Sequence, residues 1–458
     1  MAKTTDRGLE NREIVLDILM EVLEKGSFVH LVLNQALQKY QYLDKSDRAF
    51  ITRVTEGTLE YLLQTDHIIN SYSKTRTEKM KPLIRSLLRM SVYQILYMDR
   101  VPDSAVCNEA VKLAVKRHFV GLKGFVNGVL RTIAREKENL VFDTPALTYS
   151  IPQWMYDMWE KEYGSKKAGA IAASFLEESP TWVRCNLSRA SREEILGSLK
   201  AQGVTVTELS GLFHDSSYRG RSIFASMVSI SGYDYLEGLE SFNQGWLQVQ
   251  DVTSAFVGEL AGPKEGDYII DVCAAPGGKS LHLADKLNGT GMVEARDVSC
   301  QKTAMIEENM ARFGADNMKT VVWDALVLDE DSIEKADIVI ADLPCSGLGI
   351  IGKKPDIKYN MTREKMEELA GLQRDILSVV WQYVKPGGTL VYSTCTIDRQ
   401  ENEDNAVWLA DHFPLEPVDL SGRLGEGLDE PSLKNGMMQF LPGIHPFDGF
   451  FISVFRRN

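Results

Sequence analysis

Tyr268-Ile-Ile-Asp-Val-Cys-Ala-Ala-Pro-Gly-Gly-Lys-Ser280 is the stretch that decides the fold of the catalytic-looking half of this chain. Tyr268 to Cys273 is a short apolar run of the kind that a strand buried on both faces requires, and the Gly277-Gly278 pair after it opens a helical pattern. Glycines at that point let backbone N–H groups come close to a ligand at the carboxyl end of the strand. Working outward, strand patterns recur at Gly291–Asp297, Thr320–Asp324, Ala336–Asp342 and Thr389–Thr394, with Phe450–Phe455 as a late strand and helical patterns in the gaps. Alternating strands and helices specify a parallel sheet with helices on both faces.

Three of those strands end in a carboxylate. Asp297 stands 20 residues after Gly277, the separation at which an acid can accept hydrogen bonds from ribose hydroxyls. Asp324 is in position to meet an adenine amine, and Asp342 closes the fourth strand. The glycine loop is not G-x-G-x-x-G, so a nicotinamide cofactor fits poorly. It also lacks the earlier glycine of the phosphate loop of ATPases. Asp342-Leu-Pro-Cys345 and Ser393-Thr-Cys395 then put two cysteines, 50 residues apart, after strands of one sheet, where doubly wound folds keep their sites.

The glycine loop with its acidic strand ends resembles the S-adenosylmethionine site of class I methyltransferases. The whole set of Gln250-Asp251, Cys273-Ala-Ala-Pro-Gly-Gly-Lys279, Asp297, Asp342-Leu-Pro-Cys345, Lys354-Pro-Asp356 and Ser393-Thr-Cys-Thr396 resembles the NOL1/NOP2/Sun family of RNA cytosine-C5 methyltransferases. The resemblance implies an enzyme using S-adenosylmethionine on a cytosine of 16S ribosomal RNA. Transfer RNA, or a non-catalytic role in RNA assembly or antitermination, are the alternatives. It makes Cys395 the nucleophile, has Cys345 assist product release, and implies donor binding by Cys273, Ala274, Ala275, Pro276, Gly277, Gly278, Lys279, Asp297, Asp324 and Asp342. The chemistry gives thiols a reason: carbon 5 of cytosine is a weak nucleophile until a thiolate adds to carbon 6. An acid near N3 stabilises the charge that then develops, a role open to Asp342. The family's more common Asp-Ala-Pro-Cys reads Asp-Leu-Pro-Cys here, and Gly352-Lys-Lys354 stands where arginines are frequent.

The front of the chain reads differently. Ile14, Val15, Ile18, Leu19, Val22 and Leu23 recur at helical spacing, and Gly26 is placed to stop the helix. Ser46 and Ser104 are expected caps, and Pro82 an expected first-turn residue, of further helices. Asp47-Arg-Ala-Phe50, Glu56-Gly-Thr-Leu59, Asn108-Glu-Ala-Val111 and Gly124-Phe-Val-Asn-Gly-Val-Leu-Arg131 resemble the antitermination factor NusB and its relatives, which implies RNA binding. Pro145, Pro152 and Pro180 then mark a linker, followed by strand-like Trp182–Leu187, a helix capped by Ser191 and strand-like Val204–Leu209. The expected organisation is multidomain: an all-α NusB-like bundle (1–142), a linker and small α+β subdomain (143–240), and an α/β Rossmann-like methyltransferase domain (241–458).

The chain of 458 residues is 44% hydrophobic and 25% charged, which excludes disorder and fibrous folds. Its net charge of −13 argues against nucleic acid until it is divided, because residues 1–140 carry 22 Lys and Arg against 17 Asp and Glu. Lys74, Arg76, Lys79, Lys81, Arg85 and Arg89 face only Glu78 within Ser71–Met90, a local +5 suited to phosphates. Six scattered cysteines without a C-x-x-C pair and seven scattered histidines predict neither disulfides nor a metal. With no long apolar run and no signal-like start, a cytoplasmic monomer with no membrane partner is expected.

Overall fold

A computed structural model describes residues 3–209, 217–218, 221–222, 226–424, 428 and 430–458. They form two compact units: Met1–Glu178 with Ile351–Asn360, and Ser179–Ile350 with Met361–Asn458.

The first unit is helical. Its main helices are α1 (Lys3–Lys25), α2 (Val29–Lys39), α3 (Lys45–Glu60), α4 (Leu62–Tyr72), α5 (Pro82–Tyr97), α6 (Asp103–Lys116) and α7 (Lys123–Glu136). Apolar stripes at helical spacing bury Leu16, Leu19, Ile51, Ile68, Leu88 and Ile133 in one core. Gly26, at φ +74°, follows α1, and Pro82 opens α5. The serine caps are corrected: α3 starts one residue before Ser46, with Asp44 at the cap, and α6 starts before Ser104, with Pro102 at the cap. The chain had already turned extended at Asp44 and Pro102, so both serines fall within the first helical turn.

Ile351–Asn360 joins this unit although it lies within the methyltransferase-like sequence. Lys358 Nζ donates to Glu60 O (2.7 Å) and Ser150 O (2.9 Å), and Tyr359 OH donates to Leu59 O (2.7 Å). Burial pushes the Lys358 ammonium down to about 7. The basic stretch is also partly spent inside the unit. Arg89 forks onto both oxygens of Asp66 (2.7 and 2.6 Å), Arg85 pairs with Glu24 (2.6 Å), and Arg76 pairs with Glu78 (3.1 Å). Lys74, Lys79 and Lys81 are exposed, and among the described residues none of them has a carboxylate within ion-pair distance.

The second unit begins with a four-stranded antiparallel sheet of β1 (Thr181–Cys185), β2 (Thr205–Glu208), β3 (Met227–Ser231) and β4 (Leu247–Val249), in the order β2-β3-β1-β4. Ser191 caps the helix Arg192–Ala201 through a full capping box with Glu194. An eight-stranded sheet follows: β5 (Tyr268–Asp271), β6 (Met292–Asp297), β7 (Met318–Val322), β8 (Ala336–Asp342), β9 (Val384–Thr394), β10 (Leu415–Pro417), β11 (Met437–Phe440) and β12 (Phe450–Arg457). Its order is β7-β6-β5-β8-β9-β12-β10, with β11 also on β12. The five strands from β7 to β9 are parallel, and the last three add antiparallel pairs, so the sheet is mixed. The order reverses direction between β5 and β8, which opens a crevice beyond their carboxyl ends. The third parallel strand ends at Val322, two residues before its expected end, so Asp324 lies in the following turn.

Candidate active site

The β5 end and its glycine loop form one wall of that crevice. Asp271 is buried and accepts from Ser280 Oγ (2.5 Å), and burial pushes its carboxyl up to about 7. Ala274 N donates to Arg296 O (2.8 Å), and Gly277 N donates to Ala274 O (2.7 Å), so the loop Cys273–Gly277 is pinned against β6. Gly277 stands at φ +105°, and a Cβ there would come within 3.2 Å of Ile306, which restricts the position to glycine. The helix Gly278–Lys286 starts immediately afterwards. Burial, with Asp271, Asp297 and Asp342 nearby, pushes the Cys273 thiol up, so this third cysteine stays protonated.

Asp297, at the β6 end, is buried and already in use. Its Oδ2 accepts from Ala275 N (3.0 Å), and its Oδ1 accepts from Val298 N (2.8 Å) and pairs with Lys302 Nζ (2.9 Å). Lys302 itself is half exposed. Asp324 is exposed and accepts from Leu326 N (3.0 Å), and the neighbouring Trp323 N donates to Asp297 O (3.0 Å), which holds the two acidic ends side by side.

The other wall comes from β8 and β9. Asp342 accepts from Lys279 Nζ (2.6 Å) and Ser393 Oγ (2.7 Å). Burial opposes the Lys279 charge, yet Asp342 outweighs it and the ammonium is held above its ordinary value; Asp271 and Cys395 act on it in the same direction. Cys345 and Cys395, 50 residues apart, bring their sulfurs to 3.3 Å, and both are half-buried. Contact with Cys395, burial and the negative charge of Glu401 push the Cys345 thiol well up. The two cysteine loops are cross-braced by Ser346 Oγ and Thr396 Oγ1 (2.7 Å) and by Gly349 N donating to Cys395 O (3.1 Å).

Sequence reasoning missed the shell behind the thiols. Glu401 Oε2 accepts from Ser346 N and from Gln373 Nε2, both at 2.9 Å. Gln373 Nε2 also donates to Pro344 O (2.9 Å), and Tyr392 OH donates to Gln373 Oε1 (3.0 Å). Lys302 and Ser393 were missed too; Ser393 lay inside a quoted motif without a role. Two quoted motifs fall elsewhere. Asp251 caps the helix Val252–Ala261 through Thr253 N (2.9 Å), and Gln250 accepts from buried Arg184 (2.9 Å). Lys354-Pro-Asp356 belongs to the helical unit, where Asp356 accepts from Val29 N (3.4 Å).

A mixed sheet whose parallel strands carry this switch point, a glycine loop without phosphate-loop spacing and acidic strand ends define a Rossmann-like methyltransferase. Comparison with known proteins agrees. Residues 259–456 match the family model described as 16S rRNA methyltransferase RsmB/F, residues 9–135 match the NusB family, and residues 151–213 match the ferredoxin-like domain of RsmF/B-like methyltransferases. The probable ribosomal RNA small subunit methyltransferase B of Bacillus subtilis (strain 168) is 33% identical, covering 98% of each chain. The ribosomal RNA small subunit methyltransferase B of Enterobacter sp. (strain 638) is 31% identical, covering 96% of this chain and 97% of its own. The solved structure of PH0851 superposes with a TM-score of 0.80 at 25% identity, covering 97% of this chain and 98% of that one. NSun6 from Pyrococcus horikoshii shares the fold at a TM-score of 0.56 and 24% identity, over 67% of this chain and 98% of its own.

The chain belongs to the RsmB/F methyltransferase family, with a NusB helical domain in front. Its methyl donor is S-adenosylmethionine. The residues fit such a donor, which carries a sulfonium and no phosphate: a glycine loop leaves open space where a Gly278 side chain would stand, and the strand ends that rim it are carboxylates, two of them paired with Lys279 and Lys302. Among the described residues no helix is long and apolar enough to cross a membrane.

Proposed function

We propose that this chain methylates carbon 5 of a cytosine in 16S ribosomal RNA, with Cys395 as nucleophile. The observation that carries this reading is the pair of thiols at 3.3 Å beside the Lys279–Asp342 ion pair. One free thiol serves many reactions. Two in contact suit a reaction that must both make and break a carbon–sulfur bond.

Cys395 Sγ, as thiolate, would bond to carbon 6, and the electron pair of the 5,6 double bond would move to carbon 5, which would take the methyl group of S-adenosylmethionine as the methyl–sulfur bond breaks and S-adenosylhomocysteine leaves. Cys345, its own proton first released to solvent, is assigned as the base that takes the carbon 5 proton; the electrons re-form the double bond, and Cys395 leaves as thiolate. Lys279, whose charge interacts with Cys395, favours the thiolate before attack and after release. Asp342, fixed by Lys279 and Ser393, is assigned to the N3 side of the base, where charge develops on addition. Cys273, Ala274, Ala275, Pro276, Gly277, Gly278, Lys279, Asp297, Asp324 and Asp342 are assigned to the donor site, with Asp297 on the ribose and Asp324 on the adenine. Lys302 leaves Asp297 when the ribose arrives, since it is half exposed and its ion pair is correspondingly weak.

Division of labour follows the segments 1–142 for RNA capture, 143–240 as linker and subdomain, and 241–458 for methyl transfer. The protein acts as a cytoplasmic monomer. The names of its relatives, which specify the ribosomal small subunit, support the choice of RNA. The test offers labelled S-adenosylmethionine with naked 16S rRNA, assembled small subunits and tRNA in parallel, followed by nucleoside analysis. 5-Methylcytidine in 16S rRNA alone supports the reading, and label confined to tRNA or to another nucleoside refutes it.

A further inference from the structure

Glu401 is fully buried behind the thiol pair and touches neither sulfur's motif in sequence, yet it is tied to both sides of one of them. Its Oε2 takes the N–H of Ser346, the residue after Cys345, at 2.9 Å. The same oxygen takes Gln373 Nε2 (2.9 Å), which reaches on to the carbonyl of Pro344, the residue before Cys345. Its backbone carbonyl accepts from Tyr392 OH. Its other oxygen, Oε1, is buried with no hydrogen-bond partner among the described residues. A structural carboxylate normally satisfies both oxygens, and a half-satisfied buried one is costly unless it also serves something nearby.

The geometry points to Glu401 as a positioning residue for Cys345: it clamps the backbone on either side of that thiol and sets a buried carboxylate where its charge opposes a thiolate. The assignment rests on the functional reading above for its consequence: a Cys345 that gives up its proton reluctantly leaves the attack to Cys395 and, once deprotonated, is the stronger base for the carbon 5 proton. The titratable groups facing Glu401 are Asp398 on its own loop, Tyr392 on β9 and Cys345 on the loop across, while Gln373 and Asn405 bring neutral amides from their helices. Burial, reinforced by Asp398, pushes the Glu401 carboxyl up to about 7. The clamp therefore changes charge within the working pH range, neutral below it and anionic above.

The sign follows directly. As pH rises through 7 the new charge on Glu401 opposes thiolate formation at Cys345, so reactivity there climbs less than tenfold per pH unit. The test measures alkylation of Cys345 by peptide mass mapping from pH 6 to 9.5 in the full chain, in a Cys395→Ser background that leaves one thiol of the pair, with and without Glu401→Gln. With Glu401 present, the slope of log rate against pH falls below one across neutrality. With Glu401→Gln the slope stays at one, and the rate at pH 8.5 is about three- to tenfold higher. The first measurement stands alone if Glu401→Gln does not fold. A folded Glu401→Gln protein whose Cys345 profile superimposes on its parent overturns the proposal. So does a parallel acceleration at Cys273 and Cys300, which would report general loosening. No RNA enters the assay, so a protein that shows the Glu401 effect but transfers no methyl group to cytosine breaks the functional reading and leaves the coupling supported.

Discussion

The two walls of one crevice are built to opposite specifications. On the β5–β7 side Asp324 is exposed, Asp297 leans on a half-exposed lysine, and the glycine loop leaves open space. On the β8–β9 side the thiols sit on a network in which Ser346, Gln373, Tyr392, Thr394, Thr396, Glu401 and Asn402 are all buried and hydrogen-bonded to one another or to the loops. A wall that receives a diffusing ligand needs hydrogen-bonding capacity that the protein leaves unused, as at exposed Asp324, or holds with a partner that can be displaced, as Lys302 on Asp297. A wall that holds a nucleophile needs little left over, here one oxygen of Glu401, because a thiol that wanders by an ångström loses its line of attack. Exposure marks the first kind of site and satisfaction the second.

The sharpest way to break the comparison is to remove the nucleophile from the rigid wall. Cys395→Ala is expected to lower methyl transfer by at least about a thousandfold, with no covalent RNA adduct on denaturing gels. Donor affinity should stay within twofold, because the open wall is untouched. If calorimetry shows donor binding lost as well, the two walls are not independent.

Cys345→Ala gives nearly as large a loss of turnover with the opposite signature. Attack at carbon 6 and methyl transfer proceed while release stalls, so a protein–RNA adduct accumulates that disappears in the double variant. An adduct with Cys395→Ala and none with Cys345→Ala would exchange the two roles.

On the open wall, Asp297→Ala is expected to weaken S-adenosylmethionine binding by about tenfold or more, since each hydrogen bond to a charged acceptor is worth about 1.5 to 3 kcal/mol. Part of the effect is indirect, because Ala275 N loses its acceptor. Lys302→Ala separates the two contributions. It removes the lysine from Asp297 Oδ1, which keeps Val298 N, without disturbing the loop, so donor affinity should rise or stay level, and a fall would make Lys302 a donor ligand.

The same contrast explains what was legible beforehand. The thiols and acidic ends were legible because each is a local pattern: a motif at a strand end, read from fewer than ten residues. The clamp was not, since Gln373 and Glu401 stand 28 and 56 residues beyond Cys345 and look like ordinary polar positions. Only the fold brings them beneath the Pro344–Ser346 backbone. Asp324 was placed two residues too far inside its strand because Val321-Val322-Trp323 continues the β-branched and aromatic signal past the last ladder pair. Membership of Ile351–Asn360 in the helical unit was likewise invisible, since Lys358 and Tyr359 make their hydrogen bonds with backbone carbonyls, which carry no sequence signature.

The smallest effect expected tests the comparison where it recurs, in the basic stretch of the helical unit. Arg89 is buried and forked onto Asp66, whereas Lys79 is exposed with no carboxylate within ion-pair distance among the described residues. Counted as charges the two are equal; counted as available charges they are not. Arg89→Ala leaves a half-buried carboxylate unpaired and should lower thermal stability, by about 1 to 3 kcal/mol, with little specific effect on RNA. Lys79→Ala should leave the unfolding temperature unchanged. It should reduce the slope of log affinity against log salt by about 0.7 to 0.9, which is a few-fold in affinity at moderate salt. The measurement is RNA binding by the full chain across a salt series, because the compact helical unit includes residues up to Glu178 and Ile351–Asn360, and a fragment ending at 142 would cut through it. An Arg89→Ala protein that keeps its stability and loses the salt slope would show that the fork opens to meet phosphate, and the distinction between spent and available charge would fail at this surface.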